Sequence, residues 1–302
     1  MNGTEIISLI QSALPVVQSV ISAIGGAIFT AVFLRKNTST QEFEKLKAGK
    51  MQEVADDLLE SGKMTYTEYY KAGNFLSIAQ KADEEYSKMP HDDPPASYDF
   101  DWFMRFYEAA GNISDEEMQR IWAKILAGEV NKPGSFSLET LDVVRNLSKQ
   151  DADLFTKICK HCIQSSPQRL FVPHYDNYLE TCGITYSEIL RLDEIGLINS
   201  SGLIILNLSM DNDYPASIIN QGLIMLISAN NENIKKCSIS QYPFTRTGIE
   251  IASLIGETTS DDDFILFAKE VANDKSFKVS VHKINFYDGD SINYDRADLL
   301  SE

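Results

Sequence analysis

From Ile6 to Leu34 the chain carries no charged side chain, and Arg35–Lys36 close the run. Its stronger part, Ala13–Leu34, would extend about 33 Å as a helix, enough to cross a hydrocarbon core. Leu14, Val16, Val17, Val20, Ile21, Ile24, Ile28, Phe29, Val32, Phe33 and Leu34 supply its large apolar side chains. Together they favour insertion by about 3 to 7 kcal/mol, against which stand Pro15, Gln18 and Gly25–Gly26. The run predicts a membrane anchor over residues 1–36. A cleaved signal peptide fits poorly, because such peptides carry positive charge before the apolar run and here only Glu5 precedes it. A buried soluble helix is the remaining alternative.

The flanks set the expected orientation. Arg35 and Lys36 follow the run, so the positive-inside rule predicts a single-pass inner-membrane protein with its C-terminal domains cytoplasmic. Within the run Ser22, Gly26 and Thr30 recur every four positions, and so do Ser19, Ala23, Ala27 and Ala31. Such spacing lets helix backbones approach closely in lipid, which predicts a homo-oligomer. Inner-membrane lipid and a second copy of the chain are thus the first expected partners.

A formal charge of −17 bounds the others. A surface this acidic repels phosphate backbones, so nucleic acid is not an expected partner, while a protein partner is. Four cysteines in 302 residues do not make a disulfide framework. Cys159-Lys-His-Cys162 resembles half of a metal site, and His174 and Cys182 would complete a four-ligand set. The spacing lies inside a continuous helical pattern, however, and no second Cys-x-x-Cys exists. The expectation is therefore two small buried thiols, with no metal and no cofactor.

Past the anchor, helix-start signals divide the chain. Thr38-x-x-Gln41 and Thr65-x-x-Glu68 each open a helical pattern, read as a paired stalk over 37–90. Pro90-His-Asp-Asp-Pro-Pro95 breaks it. Over 96–165 four short helices are expected as a bundle. Trp102, Phe103 and Phe106 point inward from the first. Ser114-x-x-Glu117 caps the second, with its stripe Met118, Ile121, Trp122, Ile125 and Leu126. Ser137 and Ser148 open the third and fourth. Residues 166–302 read as α+β: helices over Thr185–Ile195, Thr245–Leu254 and Asp262–Ala272, strands over Leu203–Leu208, Leu223–Ser228, Cys237–Gln241 and Phe277–Phe286. Helix, hairpin and helix in that order suggest a winged-helix-like domain. Its candidate reading helix has Arg191 as its one base, opposed by Glu188, Asp193 and Glu194, which favours protein docking over DNA. The expected fold is mainly α with a smaller α+β part.

No catalytic constellation is recognisable. The acidic runs Asp92–Asp93 and Asp261–Asp262–Asp263 read as solvated caps, and Asp115–Glu116–Glu117 as a helix first turn. None of the four histidines stands in a Ser/Asp, Cys/Asn or His-x-x-x-His pattern, and no Gly-x-x-x-x-Gly-Lys occurs. The chain is expected not to be an enzyme.

The segment Asp101–Glu129, with its Trp122-Ala-Lys-Ile-Leu-Ala-Gly-Glu129 motif, Pro133–Ser137 and Leu147–Phe155, resembles an uncharacterised bacterial family of unknown function. In that motif it is similar to abortive-infection proteins of the alpha type. The likeness is looser through Gly196–Ile198 and Thr247–Gly248. Trp102, Trp122, Leu126, Gly128, Glu129 and Pro133 match the motif, and their plain reading is core packing and a shaped turn. Glu129, polar beside Gly128, is the candidate for more than structure. The resemblance implies a role in defence against phage and carries over no catalytic residue. Two functions are expected from this. One is a membrane-anchored effector that self-associates and perturbs the membrane. The other is a tethered sensor or adaptor that recruits a partner protein.

Overall fold

The structure is a computed structural model and describes residues 56, 59–62, 65–90, 99–166, 169–201, 204–210, 215–256, 259–287 and 291–301. Ser22, Gly26, Thr30 and the rest of the apolar run lie outside them. Among the described residues no helix is long and apolar enough to cross a membrane, so the single-pass inner-membrane assignment is not supported. The apolar run favours insertion by only a few kcal/mol, and Pro15, Gln18 and Gly25–Gly26 work against it. The chain divides into two compact units, Met1–Arg145 and Asn146–Glu302.

The first unit is helical. Helix α1 (Tyr66–Tyr86) starts at a capping box in which Thr65 and Glu68 satisfy each other's backbone amides. It buries Ala72, Phe75, Ile78 and Ala82 on one stripe. Helix α2 (Phe100–Ala110) is capped by Asp99. Helix α3 (Glu116–Asn131) is capped by Asp115, one residue later than the Ser114 start read from the sequence. Helix α4 spans Leu138–Asn146. Phe75 on α1 meets Phe103 edge-on at 6.0 Å, while Phe106 stacks on Trp102 at 5.2 Å and meets Trp122 at 5.3 Å. The helix expected in a stalk therefore packs into this aromatic core. A polar clasp aligns it on α3: Gln119 Oε1 accepts from Ser77 Oγ at 2.8 Å and Lys81 Nζ at 2.9 Å.

The second unit opens with helix α5 (Lys149–Lys160), capped by Ser148. Strands β1 (Ile163–Ser166) and β2 (Arg169–Pro173) follow, then the short helix α6 (Asp176–Thr181) and helix α7 (Tyr186–Glu194). Strands β3 (Ile204–Ser209), β4 (Ala216–Asn220), β5 (Leu223–Ala229) and β6 (Lys236–Pro243) precede helices α8 (Arg246–Ile255) and α9 (Asp261–Ala272). Strands β7 (Phe277–Tyr287) and β8 (Ile292–Tyr294) end the order. The strands form two antiparallel four-stranded sheets, β1-β2-β6-β3 and β4-β5-β7-β8.

This corrects the fold expected from sequence. The described residues are about 50% helical with 22% strand in two sheets, one a half-barrel, rather than mainly α ending in a winged-helix-like domain. The expected hairpin does not form, because β3 pairs with β6 and the intervening β4–β5 ribbon goes to the other sheet. That ribbon turns at Gln221–Gly222, with Gln221 at φ 53° and Asn220 paired to Leu223. Strands β1, β2 and β4, of four or five residues each, are not among the strands expected from sequence.

Candidate functional site

The motif residues of the first unit converge on one turn. Glu129 is buried near the end of α3, where its Oε1 accepts from Gly134 N at 2.7 Å and its Oε2 from Phe136 N at 3.1 Å. Burial raises its pKa, and the amides of Gly134, Phe136 and Ser135 pull the other way. From α2 the indole Nε1 of Trp102 donates to the Phe136 carbonyl at 2.7 Å. The Phe136 ring lies so close to α3 that a Cβ on Gly128 would stand 2.7 Å from it. Trp102, Trp122, Leu126 and Glu129 are buried, and Gly134 takes the positive φ of 82° that reverses the chain after Pro133. These residues build a latch. Glu129 holds the turn rather than facing solvent or a cleft.

A cleft of about 340 Å³ lies between α2 and α4, lined by Arg105, Glu108, Ala109, Leu138, Leu141, Asp142 and Arg145. Arg145 is bound to Asp142 at 3.2 Å. The lining holds no histidine, cysteine or hydroxyl nucleophile.

In the second unit, the helix considered for DNA reading is electrostatically closed. Arg191 Nε and Nη2 donate to the two carboxylate oxygens of Asp151 on α5 at 2.8 and 3.0 Å, and Nη1 reaches Glu194. Ser148 also donates to Asp151, and the Arg191 bonds first, then Ser148, lower its pKa from 3.8 to about 2. Glu188 accepts from Lys157 at 2.8 Å. With Arg191 committed, α7 has no cation left for a phosphate. What it does present is apolar: Tyr186 is 57% and Leu190 38% exposed, while Ile189 and Leu192 are fully buried. Positions 186, 190 and 194 share one face, so the outward stripe runs tyrosine, leucine, glutamate.

The cysteines and histidines regroup. Cys162 donates to the Cys159 carbonyl, and His174 stacks on Tyr242 at 4.3 Å with a 2.9 Å bond between Nε2 and the phenol. His282 is held through Nδ1 by Ala297 O and through Nε2 by Ser280 Oγ. The four-ligand set weighed from sequence is not assembled. Instead His161, just past α5, and Cys182, just past α6, converge on Asp263 in the first turn of α9. His161 Nδ1 lies 3.1 Å from Asp263 Oδ2, and Cys182 Sγ lies 3.8 Å from Oδ1. Burial, and then the Asp263 carboxylate, push the Cys182 thiol up to about 12. Asp263 is thus not the solvated cap read from the sequence. The three residues are separated by as many as 102 positions, and no local spacing announces them. Asp92–Asp93 lie outside the described residues.

Helical latch and two-sheet unit together define a two-part protein, one part α and the other α+β. The chain matches the family described as "Protein of unknown function (DUF2806)" over residues 63–266, and it belongs to that family. None of the curated proteins and none of the solved structures matches it.

Proposed function

We propose that the chain is a docking adaptor, and that it serves bacterial defence against phage. The observation that carries the docking part is the exposed Tyr186–Leu190 stripe on α7, a helix whose single arginine is already committed to Asp151. Exposed tyrosine beside leucine on a rigid helix is the composition of an interface anchor. Glu194 on the same face and the net charge of −17 favour a partner with an apolar pocket and a basic rim. The defence part is supported by the likeness of the Trp122–Glu129 motif to abortive-infection proteins of the alpha type.

The test is phage challenge of cells expressing the full chain. The double variant Tyr186→Ser/Leu190→Ser should lose protection while its melting temperature stays within about 2 °C of wild type, since exposed substitutions change stability little. Protection equal to wild type in that variant overturns the docking face. Absence of protection by the wild-type chain across a broad phage panel overturns the defence role.

A further inference from the structure

We propose that His161, Cys182 and Asp263 form a binding site for one divalent zinc-class cation. Each residue offers one ligand atom, and the three atoms lie within 4.8 Å of one another. A tetrahedral zinc with bonds of about 2.0 Å to nitrogen and oxygen and 2.3 Å to sulfur sets its ligands about 3.3 to 3.5 Å apart. The observed 3.1 Å between His161 Nδ1 and Asp263 Oδ2 and 3.8 Å between Cys182 Sγ and Asp263 Oδ1 bracket that edge. Rotation of the Asp263 carboxylate is enough to bring one oxygen to a shared centre.

Ligand chemistry and charge agree with the geometry. A thiolate, an imidazole and a carboxylate suit zinc better than calcium or magnesium, which take oxygen ligands. Thiolate and carboxylate together carry two negative charges, so the loaded site is neutral. The N-terminus of α9 opposes a cation there, but Asp261, Asp262 and Asp263 fill that turn with carboxylates.

The frame around the site is already built. The Tyr178 hydroxyl donates to the His161 carbonyl at 2.7 Å, fixing the end of α5. Thr259, just ahead of α9, donates to the Cys162 carbonyl and ties the same end to the approach of that helix. Ser260 caps α9 by accepting from Asp263 N, which orients the carboxylate. Three protein ligands leave a fourth position open, as in zinc sites that keep a water. Thiolate ligation releases the Cys182 proton to solvent, and no redox step is involved.

Full-length protein, purified with a phosphine reductant and stripped with chelator, is titrated with cobalt(II) and then zinc(II). A near-ultraviolet sulfur-to-cobalt charge-transfer band should appear, saturate at one equivalent and bleach on adding zinc. Cys182→Ser should abolish the band, and Asp263→Asn, nearly isosteric, should weaken zinc by about 100-fold or more while keeping the band's sulfur origin. Cys237→Ser should change nothing. If Cys182→Ser fails to fold, Asp263→Asn alone decides. No saturable band in the wild type overturns the site. So does a band that survives Cys182→Ser, which would place the metal on Cys159 or Cys162, and so does unchanged affinity in Asp263→Asn.

Discussion

The Cβ that Gly248 lacks would overlap the carbonyl oxygen of Leu197. Gly248 sits in the first turn of α8, where Thr245 caps the helix, and the Thr245 hydroxyl also donates to the Gly196 carbonyl at 2.6 Å. The two loosely family-like patches, Gly196–Ile198 and Thr247–Gly248, are therefore one contact between the end of α7 and the start of α8.

Gly248→Ala should destabilise the chain by about 3 kcal/mol or more, because the obstacle is backbone and cannot rotate away. Gly128→Ala meets a ring instead. The intrinsic preference of a helix for alanine, worth up to about 1 kcal/mol, partly offsets the clash with Phe136, so its cost should be about 1 kcal/mol. Urea midpoints of the two variants test the order. Equal midpoints would mean that the Leu197 carbonyl moves as easily as the Phe136 ring.

Glu129 is predicted to act on stability. Removing it leaves the amides of Gly134 and Phe136 without their acceptor, so Glu129→Ala should cost about 3 kcal/mol, and Glu129→Gln, which keeps one acceptor oxygen, about 1–2 kcal/mol. Its raised pKa means that the charged form is the less favoured one in the folded state. The stability it contributes is full below the unfolded-state value and declines as pH rises through the folded-state value, and Glu129→Gln should remove that decline. A Gln variant as stable as wild type but unable to protect cells would return Glu129 to a functional role.

Much of this was legible in the sequence, for local reasons. Thr65–Glu68 and Ser148 capped the helices they announced, since a cap is read three residues ahead. Strands β3, β5, β6 and β7 fell close to their expected bounds. Strand pairing was not legible, because β3 and β6 find each other across a ribbon that belongs to the other sheet. The His161–Cys182–Asp263 cluster was hidden for the same reason. Cys182 and His161 were noticed as residues, but their neighbour Asp263 comes from a helix start 81 positions beyond the cysteine. Glu129 was singled out for being polar in an apolar motif, and the amides it serves lie in the turn just past it.

The Asp151–Arg191 pair sets an acid limb. The folded-state pKa of Asp151 is depressed from 3.8 to about 2, so the pair contributes its stability above pH 3.8 and loses it as pH falls toward 2. Other carboxylates titrate over the same range, so the comparison is with Arg191→Gln. Chemical unfolding at steps from pH 5 to pH 2 should show the gap between wild type and variant narrowing below about pH 4. A gap constant across that window would mean the bidentate bond does not persist in solution.

Trp122 carries the largest single packing prediction. It is fully buried in α3, meets Phe106 at 5.3 Å, and its indole Nε1 has no hydrogen-bond partner among the described residues. Trp122→Ala removes that volume and leaves a cavity, at about 3–5 kcal/mol. Domains of this size are stable by about 5–15 kcal/mol, so the variant should lose much of its margin and much of its soluble yield. Trp122→Phe keeps an aromatic ring against Phe106 and discards the unsatisfied N–H, whose burial was itself unfavourable, so it should cost markedly less than the alanine. Thermal melts of the full chain measure both. If Trp122→Ala melts like wild type, the indole lies on an accessible face and the aromatic core assigned to the first unit is wrong.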